Sequence, residues 1–236
     1  MDPFALKMKL QSFELPFDRY FLKGDKHANP CHTLVLHGAG LSSRQRFSKM
    51  RAGLKDQGLP SAGFDFIGHG DTGGEMTATS LYSRTEQAAA VIRQTCREPL
   101  NLIGASMSAY TAIRLTEIFS VENLVLLVPA VYTPLAYHLR FGPAFSAAIR
   151  VPRSWKDSDA FTILEHFKGN LLIIAAENDH VIPDEVIKML HESAKYAKIN
   201  EIYKVPDSEH QKLFPKSRDF DLAIRRIVEI CGMNPV

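Results

Sequence analysis

Residues 33–36, 100–103, 124–128 and 171–175 are short runs that are apolar almost throughout instead of alternating with polar residues. A strand with that pattern is buried on both faces, as in a parallel sheet covered by helices. Longer stretches of helical period separate these runs. In residues 83–97, for example, Ala88, Val91, Ile92 and Cys96 fall on or near one face. Strand and helix in alternation predict an α/β fold with a mostly parallel central sheet and helices on both faces. Weaker runs at 61–66 and 201–205 add strands, and residues 13–15 and 20–22, split by Pro16, read as an antiparallel hairpin at the sheet edge. Helices are expected from Ser42 or Ser43 as cap to about residue 57, then over 106–119, 184–197 and 220–231. With no repeat or linker, residues 1–236 read as a single domain.

One segment breaks the alternation. Residues 131–161 hold aromatics, Pro143 and Pro152 and show no clear period. They read as an inserted lid over a binding site. Tyr132, Tyr137, Phe141 and Phe145 would line its pocket, and His138, Arg140, Arg150 and Arg153 would form a basic rim. A helix packed on the core accounts for part of the same segment.

The net charge is +2 and the pI near 8.4, so there is no strong field of either sign and no case for a nucleic-acid partner. The basic run Arg44, Arg46, Lys49 and Arg51 reads as the solvated face of a helix. The 3 cysteines, Cys31, Cys96 and Cys231, are too widely spaced for a disulfide framework or a zinc site, which predicts a reducing, cytoplasmic setting. Lys7, Lys9, Glu14 and Asp18 leave no room for a signal-peptide core, and no run is long enough to span a bilayer. Met8 offers a second start, which would leave residues 1–7 outside the natural chain.

The chemistry concentrates where predicted strands end, the edge at which open parallel sheets bind ligands. Gly104-Ala-Ser-Met-Ser108 follows one strand and opens a helix, the setting of a serine nucleophile on a sharp turn. An ordinary small-residue turn competes with that reading. In 175–183, Asp179 is the preferred acid for orienting a histidine, with Glu177 as the alternative and a plain turn residue as the bland one. His210 follows the last strand and suits the base. Chain order Ser, Asp, His, each on a loop after a strand, is what gives the set its specificity. His37-Gly-Ala-Gly40 can offer the Ala39 N–H to an oxyanion, together with the Met107 N–H from the serine turn.

Gly68-His-Gly-Asp-Thr-Gly73 matches a dinucleotide-binding fingerprint literally. That fingerprint needs a helix starting within it, and helical period resumes only near Ser83. No P-loop is present, and no cofactor or metal is expected.

Taken together, Leu36-His-Gly-Ala-Gly40, Asp65-Phe-Ile-Gly-His-Gly-Asp-Thr72, Gly104-Ala-Ser-Met-Ser108, Asn178-Asp-His-Val-Ile-Pro183 and His210 resemble the α/β-hydrolase superfamily over nearly the whole chain. The first stretch is similar to that of monoacylglycerol-lipase-like and serine-aminopeptidase-like members. The resemblance implies Ser106 as nucleophile, Asp179 as acid, His210 as base, Ala39 and Met107 as oxyanion hole, and a structural His69. Ser108 departs from the usual glycine. The Ala-Ser-x-Ser turn looks like that of thioester-cleaving acyltransferases of bacterial luminescence. The resulting expectation is a serine hydrolase that cleaves carboxylic esters of small to medium acyl chains. An acyl-thioesterase or acyltransferase acting on a small-molecule acyl substrate is the alternative, and a non-catalytic ligand-binding member of the fold is the alternative of another class. No stable membrane association is expected.

Overall fold

The computed structural model describes residues 10–232. The expectations about Met8 as a start and about the lack of a leader fall on residues outside that range. Two strands, β1 (Gln11–Phe17) and β2 (Tyr20–Lys26), form the edge hairpin. Next come β3 (Cys31–Leu36), β4 (Ser61–Phe64), β5 (Cys96–Ala105), β6 (Val121–Leu127), β7 (Asn170–Ala176) and β8 (Ile199–Val205). They make one 8-stranded sheet in the order β1-β2-β4-β3-β5-β6-β7-β8. Pairing is antiparallel among β1, β2 and β4 and parallel from β4 onward. The chain steps from β3 to one side for β4 and to the other side for β5. The ends of β3 and β5 therefore flank the point where the winding reverses.

Helices cover both faces because strand side chains alternate. On one face, α1 (Ser48–Asp56) places Met50 and Leu54 against Val35, Ile103, Val125 and Leu172. Outside the α-numbering that follows, Ala223, Ile224, Ile227 and Ile230 of the C-terminal helix Ser217–Gly232 join the same core. On the other face lie α2 (Leu81–Thr95), α3 (Met107–Leu115), α4 (Pro143–Arg150), α5 (Asp159–Leu164) and α6 (Asp184–Ser193), packed on Leu34, Leu102, Leu124 and Leu171. The C-terminal helix completes the count as α7. Each buried Leu or Ile contributes about 1.5–3 kcal/mol, which is what fixes helix to sheet. Ser80 caps α2 by accepting from the Ser83 N–H. At α1, by contrast, neither Ser42 nor Ser43 caps: a short 3-10 turn, Arg44–Phe47, leads in, and Ser43 makes no side-chain cap bond.

A row of polar side chains crosses the sheet interior. Asn101 donates to Thr33 Oγ1 at 3.1 Å, Asn123 to Asn101 Oδ1 at 2.7 Å, and Asn170 to Asn123 Oδ1 at 2.7 Å. These residues are directly opposite one another in the register of β3, β5, β6 and β7. A one-residue slip would leave buried amides without partners, so the ladder penalises any other register.

The basic run corrects its sequence reading. Arg51 is buried and donates to Asp25 Oδ1 at 2.5 Å, while Arg44 bonds Asp25 at 2.8 Å, Asp71 at 2.6 Å and the fully buried Asp65. The glycine-rich loop 68–74 wraps this cluster, with the Asp71 N–H donating to Asp65 Oδ2; it holds only a short 3-10 turn, Gly70–Thr72, and the next α-helix starts at Leu81. Its role is to hold an ion-pair cluster and not a pyrophosphate. Only Arg46 and Lys49 of the run are exposed. Cys96 caps the end of α2 and at once opens β5 beside Cys31 of β3.

In 131–161, Phe141 and Phe145 meet edge to face at 4.8 Å inside the main core, and Tyr137 is buried with them. Asp159 of α5 accepts from Tyr110 Oη at 2.6 Å and Arg114 Nη1 at 2.5 Å, which clasps the segment to α3. No helix among the described residues is long and apolar enough to cross a membrane.

Replacing Asn123 by Ala strands the Asn101 acceptor and the Asn170 donor. Chemical denaturation should show a loss of about 2–4 kcal/mol. An unchanged midpoint would mean that the ladder adds nothing to stability.

Candidate active site

Ser106 sits between β5 and α3 with φ 49° and ψ −116°, a conformation that strains any residue with a side chain. Its surroundings fix it there. Its N–H donates to Leu127 O at 2.8 Å, and its carbonyl accepts from Ala109 N at 3.0 Å and Ala130 N at 3.1 Å. Gly104 allows the strand and helix to meet: a Cβ there would lie 2.4 Å from Ser108 O and 2.9 Å from Ala112 Cβ. Gly38, just past β3, also comes close to the serine, since a Cβ on it would lie 3.3 Å from Ser106 Cβ.

The three residues expected to act together are within hydrogen-bond reach of each other. Ser106 Oγ lies 3.0 Å from His210 Nε2, and His210 Nδ1 lies 2.9 Å from Asp179 Oδ2. An ionised carboxylate only accepts, so Nδ1 carries the proton and Nε2 offers its lone pair to the serine hydroxyl. The other Asp179 oxygen accepts from the Val181 and Ile182 N–H groups, each at 2.8 Å, which locks the carboxylate. Both Asp179 and His210 side chains are only 8% exposed. Glu177, the alternative acid, instead accepts from the Asp207 N–H at 2.8 Å and faces solvent. His180 is exposed as well.

Ser208 went unnoticed in the sequence. It is fully buried, donates to Val205 O at 2.7 Å and accepts from Glu177 N at 3.2 Å, while its own carbonyl accepts from Asn178 N at 2.8 Å. It ties the Asp179 loop to the His210 loop. A small polar residue two positions before the expected base, His210, is the only signal that could have pointed to it.

Behind the serine turn lies Arg84, also missed. It is 1% exposed and has no carboxylate partner among the described residues. Its Nη2 donates to His37 O at 2.9 Å, Ser108 Oγ at 2.9 Å and Gly38 O at 3.3 Å, and its guanidinium lies 3.7 Å from the centre of the Phe66 ring. Burial pushes its pKa down to about 9. His37 is buried with it. Its Nε2 accepts from the Phe66 N–H at 3.2 Å, so its Nδ1–H donates to Gly38 O at 2.7 Å. Burial first, then the neighbouring Arg84 and His69, holds the His37 pKa well below the usual value, as a neutral accepting ring requires. His69 is buried against His37, with ring centres 4.8 Å apart.

The Gly38 carbonyl is thus held by two inward donors. Across a trans peptide the Ala39 N–H points the opposite way, and Ala39 lines the cleft that holds Ser106. Met107 opens α3, where the first N–H groups have no partner within the helix.

Two clefts meet at Ser106. The larger, about 660 Å³, runs past His210 between the β3 turn, α1 and the start of α7. The smaller, about 200 Å³, is lined by Ala130, Val131, Tyr132, Ile149, Trp155 and Ile182 among others. Of the four aromatics expected at the pocket, only Tyr132 reaches a cleft. Tyr137, Phe141 and Phe145 face the core, where their apolar area is better buried than at a rim. The expected basic rim is also displaced. Arg153 pairs with Glu185, His138 stacks on Tyr82 at 4.9 Å, and neither they nor Arg140 and Arg150 line either cleft. Among the described residues no group of three or more His, Cys, Asp or Glu is placed to hold a metal ion.

Ser108 changes meaning as well. Its hydroxyl is fully buried and donates to His37 O at 2.6 Å, away from the clefts. Ser108→Ala should therefore lower stability by about 1–3 kcal/mol in thermal unfolding while leaving the ratio of ester to thioester turnover unchanged. A changed ratio would mean that the hydroxyl meets the substrate.

No protein-family model matches the chain, and no curated protein matches it in sequence. Solved structures do match in three dimensions. An esterase from Exiguobacterium antarcticum is 17% identical with a TM-score of 0.70, covering 93% of this chain and 99% of its own. A monoacylglycerol lipase from Paleococcus ferrophilus is 19% identical with a TM-score of 0.69, covering 88% and 98%. A thioesterase domain from the curacin biosynthetic pathway is 15% identical with a TM-score of 0.68, covering 95% and 99%. The chain has the α/β-hydrolase fold.

Proposed function

We propose that this protein is a serine hydrolase that cleaves carboxylic esters of small to medium acyl chains. The observation that carries the reading is the continuous relay from Asp179 through His210 to a serine held at positive φ. Ser106 Oγ attacks the ester carbonyl as His210 Nε2 takes its proton. The carbonyl oxygen becomes an oxyanion facing the Ala39 and Met107 N–H groups, where one fixed donor is worth about 2.7–4 kcal/mol. The C–O bond to the alcohol breaks, and the alcohol leaves with the proton from His210. Water, deprotonated by His210, then attacks the acyl-enzyme, releases the acid and restores Ser106. Asp179 orients the imidazole and stabilises its charged form throughout.

Residues 131–161 serve as a compact cover in this reading, which Tyr132, Ile149, Ser154 and Trp155 bring to the site. Esterases, a lipase and a thioesterase are among the proteins with this fold, which is consistent with acyl transfer to water but does not select the acyl donor. A purely binding role leaves the strained serine and the locked carboxylate without a purpose.

A fluorophosphonate probe should label Ser106 in the folded wild type. Ser106→Ala and His210→Ala should each lower kcat on p-nitrophenyl butyrate by about a thousandfold or more, and the double variant by little further, because the residues act as a unit. Full turnover by Ser106→Ala, or no labelling of the wild type, would refute the assignment.

A further inference from the structure

The two clefts at Ser106 differ in charge. No acidic side chain lines the larger one, while Arg46, Lys49 and Lys212 all do. None of these cations has a salt-bridge partner among the described residues. Two of them are nonetheless held in place. Arg46 Nη2 donates to Gln211 O at 2.7 Å, and Lys49 Nζ lies 4.5 Å from the centre of the Phe220 ring. This differs from the rest of the basic run, where Arg44 and Arg51 are neutralised by Asp25, Asp65 and Asp71. Three uncompensated cations around one concavity focus a positive potential into it. The smaller cleft has no charged residue in its lining.

The proton path tells the clefts apart. A leaving group must collect its proton from His210 Nε2, so it departs on the His210 side of the serine. His210, Gln211 and Lys212 all line the cationic cleft, and His210 is absent from the lining of the apolar one. The acyl chain therefore belongs in the apolar cleft and the leaving group among the cations.

We propose that the larger cleft binds a polyanionic, phosphate-bearing leaving group, with Arg46, Lys49 and Lys212 as its counter-charges. The inference rests on the serine-hydrolase reading and narrows its substrate class. The carbonyl carbon forms its bond to Ser106 Oγ, its bond to the leaving sulfur or oxygen breaks, and that atom takes the proton which His210 received from Ser106. Water completes the cycle, so no further reactant is needed. Lysine is a compact point charge suited to phosphate, and several such contacts make binding depend strongly on salt.

The test pairs two thioesters with the same acyl group and the same leaving atom. Butyryl-coenzyme A carries the phosphates, and S-butyryl-N-acetylcysteamine lacks them. The wild type should favour the coenzyme A thioester in kcat/KM by about tenfold or more at low ionic strength, and the ratio should fall towards one as salt rises. In the triple variant Arg46→Gln, Lys49→Gln, Lys212→Gln the ratio should collapse at low salt. The salt series on the wild type keeps the test decisive even if the triple variant folds poorly.

Equal wild-type kcat/KM for the two thioesters overturns the proposal, as does an undiminished ratio in the triple variant. A p-nitrophenyl hemiadipate preferred over p-nitrophenyl butyrate, with no preference between the thioesters, would put the anion on the acyl side and also overturn it. If p-nitrophenyl butyrate is cleaved while neither thioester is, the leaving-group assignment falls and the serine-hydrolase reading stands. If all the substrates are inert, the reading beneath it falls too.

Discussion

The site is built around one buried cation. Arg84 lies behind the serine turn with no carboxylate among the described residues to neutralise it, held by the His37 and Gly38 carbonyls, the Ser108 hydroxyl and the face of Phe66. A cation so buried costs several kcal/mol before its partners compensate. The compensation comes from three separate pieces of chain: the turn after β3, the first turn of α3 and the segment after β4. Each must keep its place or leave the charge unsolvated. The same bonds that solvate Arg84 aim the Gly38 carbonyl inward and so turn the Ala39 N–H outward to the cleft. Stability and the direction of the Ala39 N–H rest on one set of contacts.

Sheet topology explains why these pieces meet. The winding reverses between β3 and β5, so the loops that leave their ends diverge and open a crevice between them. The His37 turn comes from β3 and Ser106 from β5, while Asp179 and His210 arrive from the ends of β7 and β8 farther along the same edge. The asparagine ladder sets the heights of β3, β5, β6 and β7 relative to one another. A slip of β5 or β7 would move Ser106 or Asp179 by a residue and break the 3.0 Å or the 2.9 Å contact to His210.

What was legible in the sequence was local. Buried strands show as continuous apolar runs, and Ser106 and Asp179 each follow one, while His210 follows the weaker, half-exposed run 201–205, so their shared edge could be read without coordinates. Asp179 and Glu177 stand two residues apart on one loop, and what separates them is spatial: Asp179 meets His210 and the Val181 and Ile182 N–H groups, Glu177 the Asp207 N–H. What escaped was long-range pairing. Arg44 and Arg51 looked like a solvated stripe because their partners are Asp25, Asp65 and Asp71, far away in sequence. Asn101 is a polar residue inside an apolar run, and its value lies in Thr33 and Asn123 on neighbouring strands. Aromatic content suggested a pocket at Tyr137, Phe141 and Phe145, but large apolar rings are equally good core, and three of the four became core. Ser108 misled for the opposite reason: its position in a motif drew attention to the substrate, while its hydroxyl serves a buried arginine.

Strain at the site is shared between two adjacent strand ends. Besides Ser106 at φ 49°, Val128 just past β6 has φ 41°, an outlier for a β-branched residue. Its N–H remains bonded to Ile174 O at 2.8 Å, so the sheet pairing continues up to the kink. Beyond the kink the chain folds over the serine turn, and the Ala130 N–H reaches the Ser106 carbonyl at 3.1 Å. A relaxed Val128 would carry the chain onward along the strand and withdraw that donor. The unfavourable backbone at Val128 therefore helps hold the unfavourable backbone at Ser106, each costing about 1–3 kcal/mol. Val128 itself lines the larger cleft and Ala130 the smaller, so the same kink lies between the two.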